Sequence, residues 1–552
     1  MSNIEAQILY DPRLAQIDDS KKTYMILRGG QNIQYYPFTY QSKSNTNISF
    51  KCDPPSFDTV VGRHAILRVP VRIQLAGLSA ELTKHMYSLR AYPLSSIIQS
   101  ATVNINGQSI SMEVANMVHI LSRYNNNPVS RSEFGSILPN VLDVFQKYSV
   151  GFGTSSNPLG TATEMVQGVR VPRGAYPQVV VASGTTSATL EFDIYEYVML
   201  SPFYSRKQEG EGGLALIRNL SFNFQLGDLA RVFSMSDYNG HPSSTTPTTL
   251  TAATVDVIGE PTIYMNFITP PEGFSVPRAI NFNFNDYNYY SIERTPVAFD
   301  GSTQTIVSNV IQFGQLPERV YIAVHRAKAQ VNASVLSQVT TTDTFARIKR
   351  VNINFANRDG IHSATTPVDL YRLSVANGLS MSWSEFDGKT QYRDGTSTTT
   401  DLLTGSIVAF EFGKDIPLTG FDSVGMSKAW NFQVQVDYEN ISGEVFTPQL
   451  SIVAVQQGIL TLEAPGQANI SLGFITPSDV ANATVSDESY ERIRKLYGGA
   501  HSGMVPRLLQ KAMNKVKGSA LAGGALAGGL SAGALSGGAI MSRQSLKDRA
   551  LR

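Results

Sequence analysis

The chain has 552 residues, enough for two or more domains that each bury a core. Hydrophobic residues make up 42% of it and charged ones only 16%, a balance that points to surface covered by something besides the chain itself. The net charge of +1 hides a division: residues 491–552 hold 11 Lys or Arg against two acidic residues, which leaves −8 on residues 1–490 and excludes a body that coats nucleic acid by itself.

Residues 1–44 read as an N-terminal arm and lead-in. Met1 to Tyr10 lacks the basic start and apolar run of a signal peptide. The single cysteine, Cys52, excludes an intramolecular disulfide framework. Asn-X-Ser/Thr matches begin at Asn47, Asn219, Asn332, Asn440, Asn469 and Asn482; in a chain so rich in Asn, Ser and Thr such matches arise often by chance, and with no disulfide framework secretion is the lesser reading.

From residue 45 to about 480 the pattern is short strands between turn residues. Val103 to Ile110 alternates apolar and polar and turns at Asn106-Gly107, a pair that supplies the positive φ angles of a tight hairpin. Leu190, Phe192 and Ile194 alternate with Glu191, Asp193 and Tyr195. The same period of two recurs at Phe222/Phe224, Phe282/Phe284, Val351/Ile353/Phe355 and Phe432/Val434/Val436. Many strands with one wet face predict an all-β, antiparallel sandwich or barrel. Two helices interrupt it. Ser111 to Tyr124 gathers Val114, Met117, Val118 and Leu121 on one side; Pro367 to Ser380 brings Leu370, Leu373 and Val375 together behind a proline suited to a first helical turn. The Ser/Thr/Pro segment 241–250 divides the body into two blocks, predicted as domains 45–245 and 246–485.

Catalytic constellations are missing. The seven histidines (64, 85, 119, 241, 325, 362, 501) form no metal-spaced pair, and Cys52 has no nucleophile signature. Gly388-Lys389-Thr390 resembles the end of a phosphate-binding loop, but the required earlier glycine is Trp383, so it reads as a turn. Gly210-Glu-Gly-Gly213 reads as a loop. The sequence predicts no enzyme, metal or cofactor. Asn285-Asp-Tyr-Asn-Tyr-Tyr290 offers aromatics for loop packing or a subunit contact, or, in an all-β adhesin or carbohydrate-binding module, for gripping sugar rings.

Residues 486–552 form a basic, Gly/Ala-rich C-terminal tail. Val505, Leu508, Leu509 and Val516 fall on one helical side, leaving Arg507, Lys511, Lys515 and Lys517 for a membrane or genome contact. Gly518 to Ile540 carries no charge and is 23 residues long. A flexible low-complexity tail, an internal anchor and a membrane-spanning helix all remain open for it.

Several of these segments together resemble the double jelly-roll major capsid proteins of Polinton-like viruses, adintoviruses and virophages, distant kin of the adenovirus hexon. Asn47 to Arg63 is similar to that family's opening strand and Pro-Pro loop; Tyr92 to Ser100 with Val103 to Gln108 resembles its hairpin. In the second block the likeness lies in Leu316–Val324, Val351–Gly360 leading into Asp369–Leu373, Phe410–Leu418 and Gly458–Leu462. The resemblance implies two tandem eight-stranded jelly rolls and a homotrimer of pseudo-hexagonal outline. Such capsomers tile an icosahedral virion shell around a DNA genome, beside penton and minor capsid proteins. It implies outward-facing insertions at 150–170 and 240–255. It also implies a viral cysteine protease of adenovirus type that cuts after Leu-x-Gly-Gly. Matches end at Gly524, Gly529 and Gly538 inside the Gly/Ala tail, and at Gly30 and Gly499 on the two edges of the body. Cleavage is expected after Gly499 and after Gly30. No host receptor is legible.

Overall fold

The computed structural model describes residues 32–76, 86–89, 92–124, 179–180, 187–204, 213–235, 252–270, 276–327, 345–394, 397–402, 404–418, 422–441, 445–473, 475–476 and 478–479. Gly30, Gly499, Arg507, Lys511, Lys515, Lys517, the segment 241–250 and the insertion at 150–170 lie outside these residues.

In chain order the first half contains β1 (Asn32–Lys43), β2 (Asn47–Lys51), β3 (Val60–Val61), β4 (Ile66–Ala76), β5 (Met86–Leu89), helix α1 (Pro93–Ile97), β6 (Ile98–Ile105), β7 (Gln108–Met112) and helix α2 (Val114–Leu121). It continues with β8 (Val179–Val180), β9 (Ser187–Tyr197), β10 (Leu220–Leu226), β11 (Phe233–Met235), β12 (Ala252–Val257) and β13 (Thr262–Thr269). The second half has β14 (Ala279–Glu293), β15 (Thr303–Val307), β16 (Ile311–Gln315), β17 (Arg319–Arg326), β18 (Arg347–Phe355), β19 (Arg358–Ile361), helix α3 (Pro367–Ala376) and helix α4 (Trp383–Asp387). It closes with β20 (Lys389–Asp394), β21 (Ser397–Leu402), β22 (Ile407–Glu411), β23 (Ser427–Glu439), β24 (Pro448–Glu463) and β25 (Gln467–Leu472).

Pairing follows one plan twice. In the first half β1, β13, β4 and β9 lie side by side, and β12 shares with β13 the same edge of β4. A second row runs β2, β10, β6, β7, with the end of β1 crossing over to pair with β2. In the second half the rows are β14, β24, β17, β22 and, opposite, β15 with β16, then β23, β18, β19. All of these strand pairs are antiparallel, and the arrangement is the double jelly-roll expected from the sequence. Strands β12 and β13 lie beyond residue 245, yet they pair with β4 and β1.

The alternation seen in the sequence marks which face is dry. Leu220, Phe222, Phe224 and Leu226 of β10 are buried, while the residues between them reach solvent at least in part. Phe432, Val434 and Val436 of β23 meet Val351, Ile353 and Phe355 of β18 in the second core. The Asn106-Gly107 turn forms as expected: Ile105 pairs with Gln108, and both loop residues have positive φ (50° and 88°). The β18–β19 hairpin repeats this with Ala356 and Asn357 at 49° and 63°.

The two expected helices, α2 and α3, lie inside their expected spans, and α1 and α4 are additional to them. Val114, Met117, Val118 and Leu121 of α2 are all buried. Helix α3 starts at Pro367 behind a capping box, in which the Thr366 hydroxyl accepts from the Asp369 amide and the Asp369 carboxylate accepts from the Thr366 amide. Its inward residues are Leu370 and Ser374, whereas Val375 points outward. Helical geometry separates Leu370 from Val375 by about 140°, since each residue turns about 100°. Gly388 is the left-handed cap that ends α4, which makes Gly388-Lys389-Thr390 a turn into β20.

One buried carboxylate ties the second half's outer row together. Glu439 on β23 meets Lys349 at 3.2 Å, Arg347 at 3.4 Å, and Lys389; Arg347 also grips Asp387 of α4 at 2.6 Å. Burial, then the positive charges of Arg347 and Lys349, hold the Lys389 ammonium below its ordinary pKa.

Two glycines separate the cost of backbone angle from the cost of space. At Gly107 (φ +88°) an added Cβ would meet nothing within 4 Å, so Gly107→Ala should lose only the left-handed penalty, about 1–2 kcal/mol. At Gly405 (φ +95°) the added atom would sit 2.1 Å from the Phe345 carbonyl oxygen, which is backbone and cannot swing away. Urea unfolding should show Gly405→Ala as clearly the more damaging; equal losses would contradict the packing described.

Candidate assembly site at the seam between the two halves

Strands β17, β22 and the first half of β24 break the alternation. Val320–Val324, Ile407–Phe410 and Leu450–Val455 are buried without interruption, as in a sheet covered on both faces. Residues directly opposite each other in an antiparallel pair project to the same face. Tyr289 pairs with Val453, Val453 with Tyr321, and Tyr321 with Ala409. One face therefore carries Tyr287, Tyr289, Tyr321 and Ala409, and the other turns Tyr290, Ile322, Ile452 and Phe410 into the second core.

The first face receives the other half of the chain. The residues that follow α2 enter it: the Tyr124 ring lies 4.7 Å from that of Tyr321, and its hydroxyl donates to the Ile407 carbonyl at 2.9 Å. Tyr124 also bridges to Leu379, while the Ser380 amide and hydroxyl both donate to the Arg123 carbonyl, at 2.9 and 2.8 Å. The buried Arg123 guanidinium stacks 5.6 Å from the Phe345 ring. Further along β14, Tyr204 packs on Tyr287, and the Ser201 hydroxyl donates to the Asn285 carbonyl at 2.5 Å. This seam is a dry, hydrogen-bonded surface of interface quality inside one chain.

Asn285 to Tyr290 therefore belongs to a strand, not to a loop. Tyr287 is buried and Tyr289 and Tyr290 are half-buried, so none is presented as a platform for a sugar ring. The reason is register: all fifteen residues of β14 pair with β24, which turns alternate tyrosines into the seam and the core.

Chemistry-bearing groups occur here in structural roles. The Ser451 hydroxyl lies 2.7 Å from His325 Nε2 and 2.7 Å from the Tyr289 hydroxyl. A serine beside a histidine is a nucleophile's geometry, but Ser451 is completely buried in mid-strand, where no substrate reaches it. The separation of His325 and Ser451 by 126 residues leaves no local motif, so nothing in the sequence marks this pair. Arg319 ion-pairs with Glu411 and donates to the Asn377 carbonyl at 2.5 Å, pinning the end of α3 to the sheet. Asn377 in turn donates to the Ala409 carbonyl at 2.9 Å and to Asp415 at 2.6 Å.

In the first half Glu196 is wholly enclosed. Its carboxylate accepts from the Leu94 and Ser95 amides at 2.6 and 2.8 Å and from the Ser95 hydroxyl at 2.6 Å. Desolvation outweighs those three donors and raises its pKa to about 7. Burial, with Asp53 adding to it, pushes the Cys52 thiol well above its ordinary range and makes it a poor nucleophile. Among the described residues no group of three or more His, Cys, Asp or Glu is placed to hold a metal ion. No described helix is long and apolar enough to cross a membrane.

Comparison with known proteins finds the same architecture. Residues 2–268 match the family described as the Sputnik virophage major capsid protein 1st domain, and residues 287–458 match the major capsid protein V20 C-terminal domain. The chain is 32% identical over 518 residues to a capsid protein V20 of Sputnik virophage, covering 91% of this chain and 86% of that one. A chain in the cryo-EM structure of Sputnik virophage superposes with a TM-score of 0.77 at 31% identity, covering 90% of this chain and 98% of that one. The mavirus major capsid protein shares the fold, with a TM-score of 0.65 at 17% identity over 88% of this chain and 99% of its own.

Two outcomes are expected from the groups above. Tyr124→Ala removes a buried ring and its hydrogen bond from the seam and should cost about 3–5 kcal/mol in equilibrium unfolding. A loss under about 1 kcal/mol would mean that the seam does not depend on it. Glu196 binds its proton more tightly in the folded state, so its contribution to stability is complete below about pH 4.5 and is lost as pH rises to about 7. The melting temperature of the unaltered chain should therefore fall across that window relative to Glu196→Gln, and parallel curves would refute the assignment.

Proposed function

The chain belongs to the virophage double jelly-roll major capsid protein family, and from that membership we propose that its working unit is a homotrimer with a pseudo-hexagonal outline. A major capsid protein is a structural component of the virion, not an enzyme, and its first partner is another copy of itself. Three chains of two jelly rolls bring six rolls of like connectivity into one ring, near-sixfold in shape though threefold in symmetry. The observation that carries this reading is the seam, which locks the two rolls of one chain into a single tile.

We place the division between the rolls after Thr269 and before Ala279 instead of at residue 245, because strand partners change there. Such capsomers would tile an icosahedral shell around a DNA genome and meet penton and minor capsid proteins at its vertices. Maturation by an adenovirus-type cysteine protease after Gly499 and Gly30 is proposed from the Leu-x-Gly-Gly sequences alone. Glycines are needed where an extended substrate threads a narrow cleft. Arg507, Lys511, Lys515 and Lys517 are proposed as contacts to an internal membrane or to the genome, and their positive charge supports this.

The native mass of the purified chain tests the capsomer. A species near three times 60.1 kDa that survives dilution is the expected result, and a clean monomer would refute it. Intact masses of virion protein should fit a chain ending at Gly499, and masses of the full 552 residues would remove the cleavage proposal.

A further inference from the structure

The two rolls share a plan, and they use the helix that follows its central hairpin differently. In the first roll the hairpin β6–β7 leads to α2, where every residue but Asn116 is buried, and the residues just beyond it, Arg123 and Tyr124, enter the seam. In the second roll the hairpin β18–β19 leads to α3, whose inward side holds Leu370, Ser374 and then Asn377. Its outward stripe is Val368, Arg372 and Val375, with both valines 43% exposed. Beside that stripe Trp383 of α4, 37% exposed, stands edge-on to Tyr371 with ring centroids 5.4 Å apart. An exposed tryptophan beside a tyrosine and two valines, with Arg372 as the one charge of the stripe, has the composition of an interface core.

We infer that the α3–α4 face, formed by Val368, Tyr371, Val375 and Trp383, docks on the first jelly roll of a second copy of this chain. The argument is equivalence. Within one chain, the segment after the first roll's helix meets the segment after the second roll's helix: Arg123 and Tyr124 touch Leu379, Ser380 and Met381. A ring built from such rolls has to repeat that kind of junction where the second roll of one chain meets the first roll of the next. The helix available in the equivalent place is α3, and its outer face is open. A contact of this type is head-to-tail, so it closes only as a ring. The inference rests on the trimer proposed above and adds which surface closes it.

A Val375→Cys variant of the full chain tests it. Its new thiol is exposed, while the one native cysteine, Cys52, is buried, so a thiol-reactive benzophenone should label position 375 alone. After illumination the trimer-sized species should contain crosslinks from residue 375 to peptides within 32–270 of another copy. Crosslinks to the second roll of another copy, or none between copies in a preparation that is trimeric, would overturn this inference and leave the trimer standing. A preparation that is monomeric without any substitution would instead sink the trimer and this inference with it. As a second readout, Val375→Glu should raise the protein concentration at which trimers dissociate at least tenfold while leaving the monomer's thermal unfolding unchanged. Undiminished trimerisation in that variant would also count as refutation.

Discussion

Strands β17, β22 and the first half of β24 form a sheet region that is dry on both faces, and the rest of the molecule is arranged around that constraint. One face completes the core of the second jelly roll with Ile322, Ile452 and Phe410. The other face cannot meet water, because Tyr321, Ala323, Ala409 and Val453 lie on it, and it is covered by the residues that follow α2, while α3 satisfies the free edge of β22 through Ser374 and Asn377. Apolar area buried at roughly 25 cal/mol per Å² favours that closure. Its position is set by directional bonds across the seam, with Tyr124 to Ile407 and Ser380 to Arg123 supplying the register.

Charge is distributed in keeping with this. The described ion pairs at low exposure sit where an element must be held at one angle: Arg319 and Glu411 at the end of α3, and Glu439 with Arg347, Lys349 and Lys389 beneath β20. Pairs such as Arg68–Asp193 and Arg72–Glu191 on the surface of β4 and β9 are exposed enough to contribute little. Other buried charges are held by contacts of another kind: Glu196 by the Leu94 and Ser95 donors, and Arg123 over the Phe345 ring.

Much of the fold was legible in the sequence because a sheet wet on one face writes its geometry as alternation. Phe222/Phe224, Val351/Ile353/Phe355 and the Asn106-Gly107 turn each predicted what the strands do. Alternation fails where both faces are covered, so the unbroken apolar run Val320–Val324 carries no period of two and does not show what covers its second side. Asn285–Tyr290 reads as polar and aromatic, hence loop-like, although its tyrosines are turned alternately into seam and core by pairing with a strand some 160 residues away. Composition marked 241–250 as a divider, whereas β12 and β13 beyond it pair with β4 and β1; pairing is long-range and leaves no local trace. The outer face of α3 was missed for a related reason. Helical periodicity says which residues share a side, but exposure of Val368 and Val375 depends on a neighbour that belongs to no local window.

The covered sheet also has a mechanical consequence. A hinge needs a surface along which two bodies can slide or part, and the seam offers none, since parting it would expose tyrosines and strand carbonyls that only the opposite roll satisfies. The two rolls of one chain therefore behave as a single stiff plate. A closed shell must curve somewhere, and with such plates the bending is confined to the joints between neighbouring units, so that the radius of the container is set by how the plates meet and not by how each one flexes.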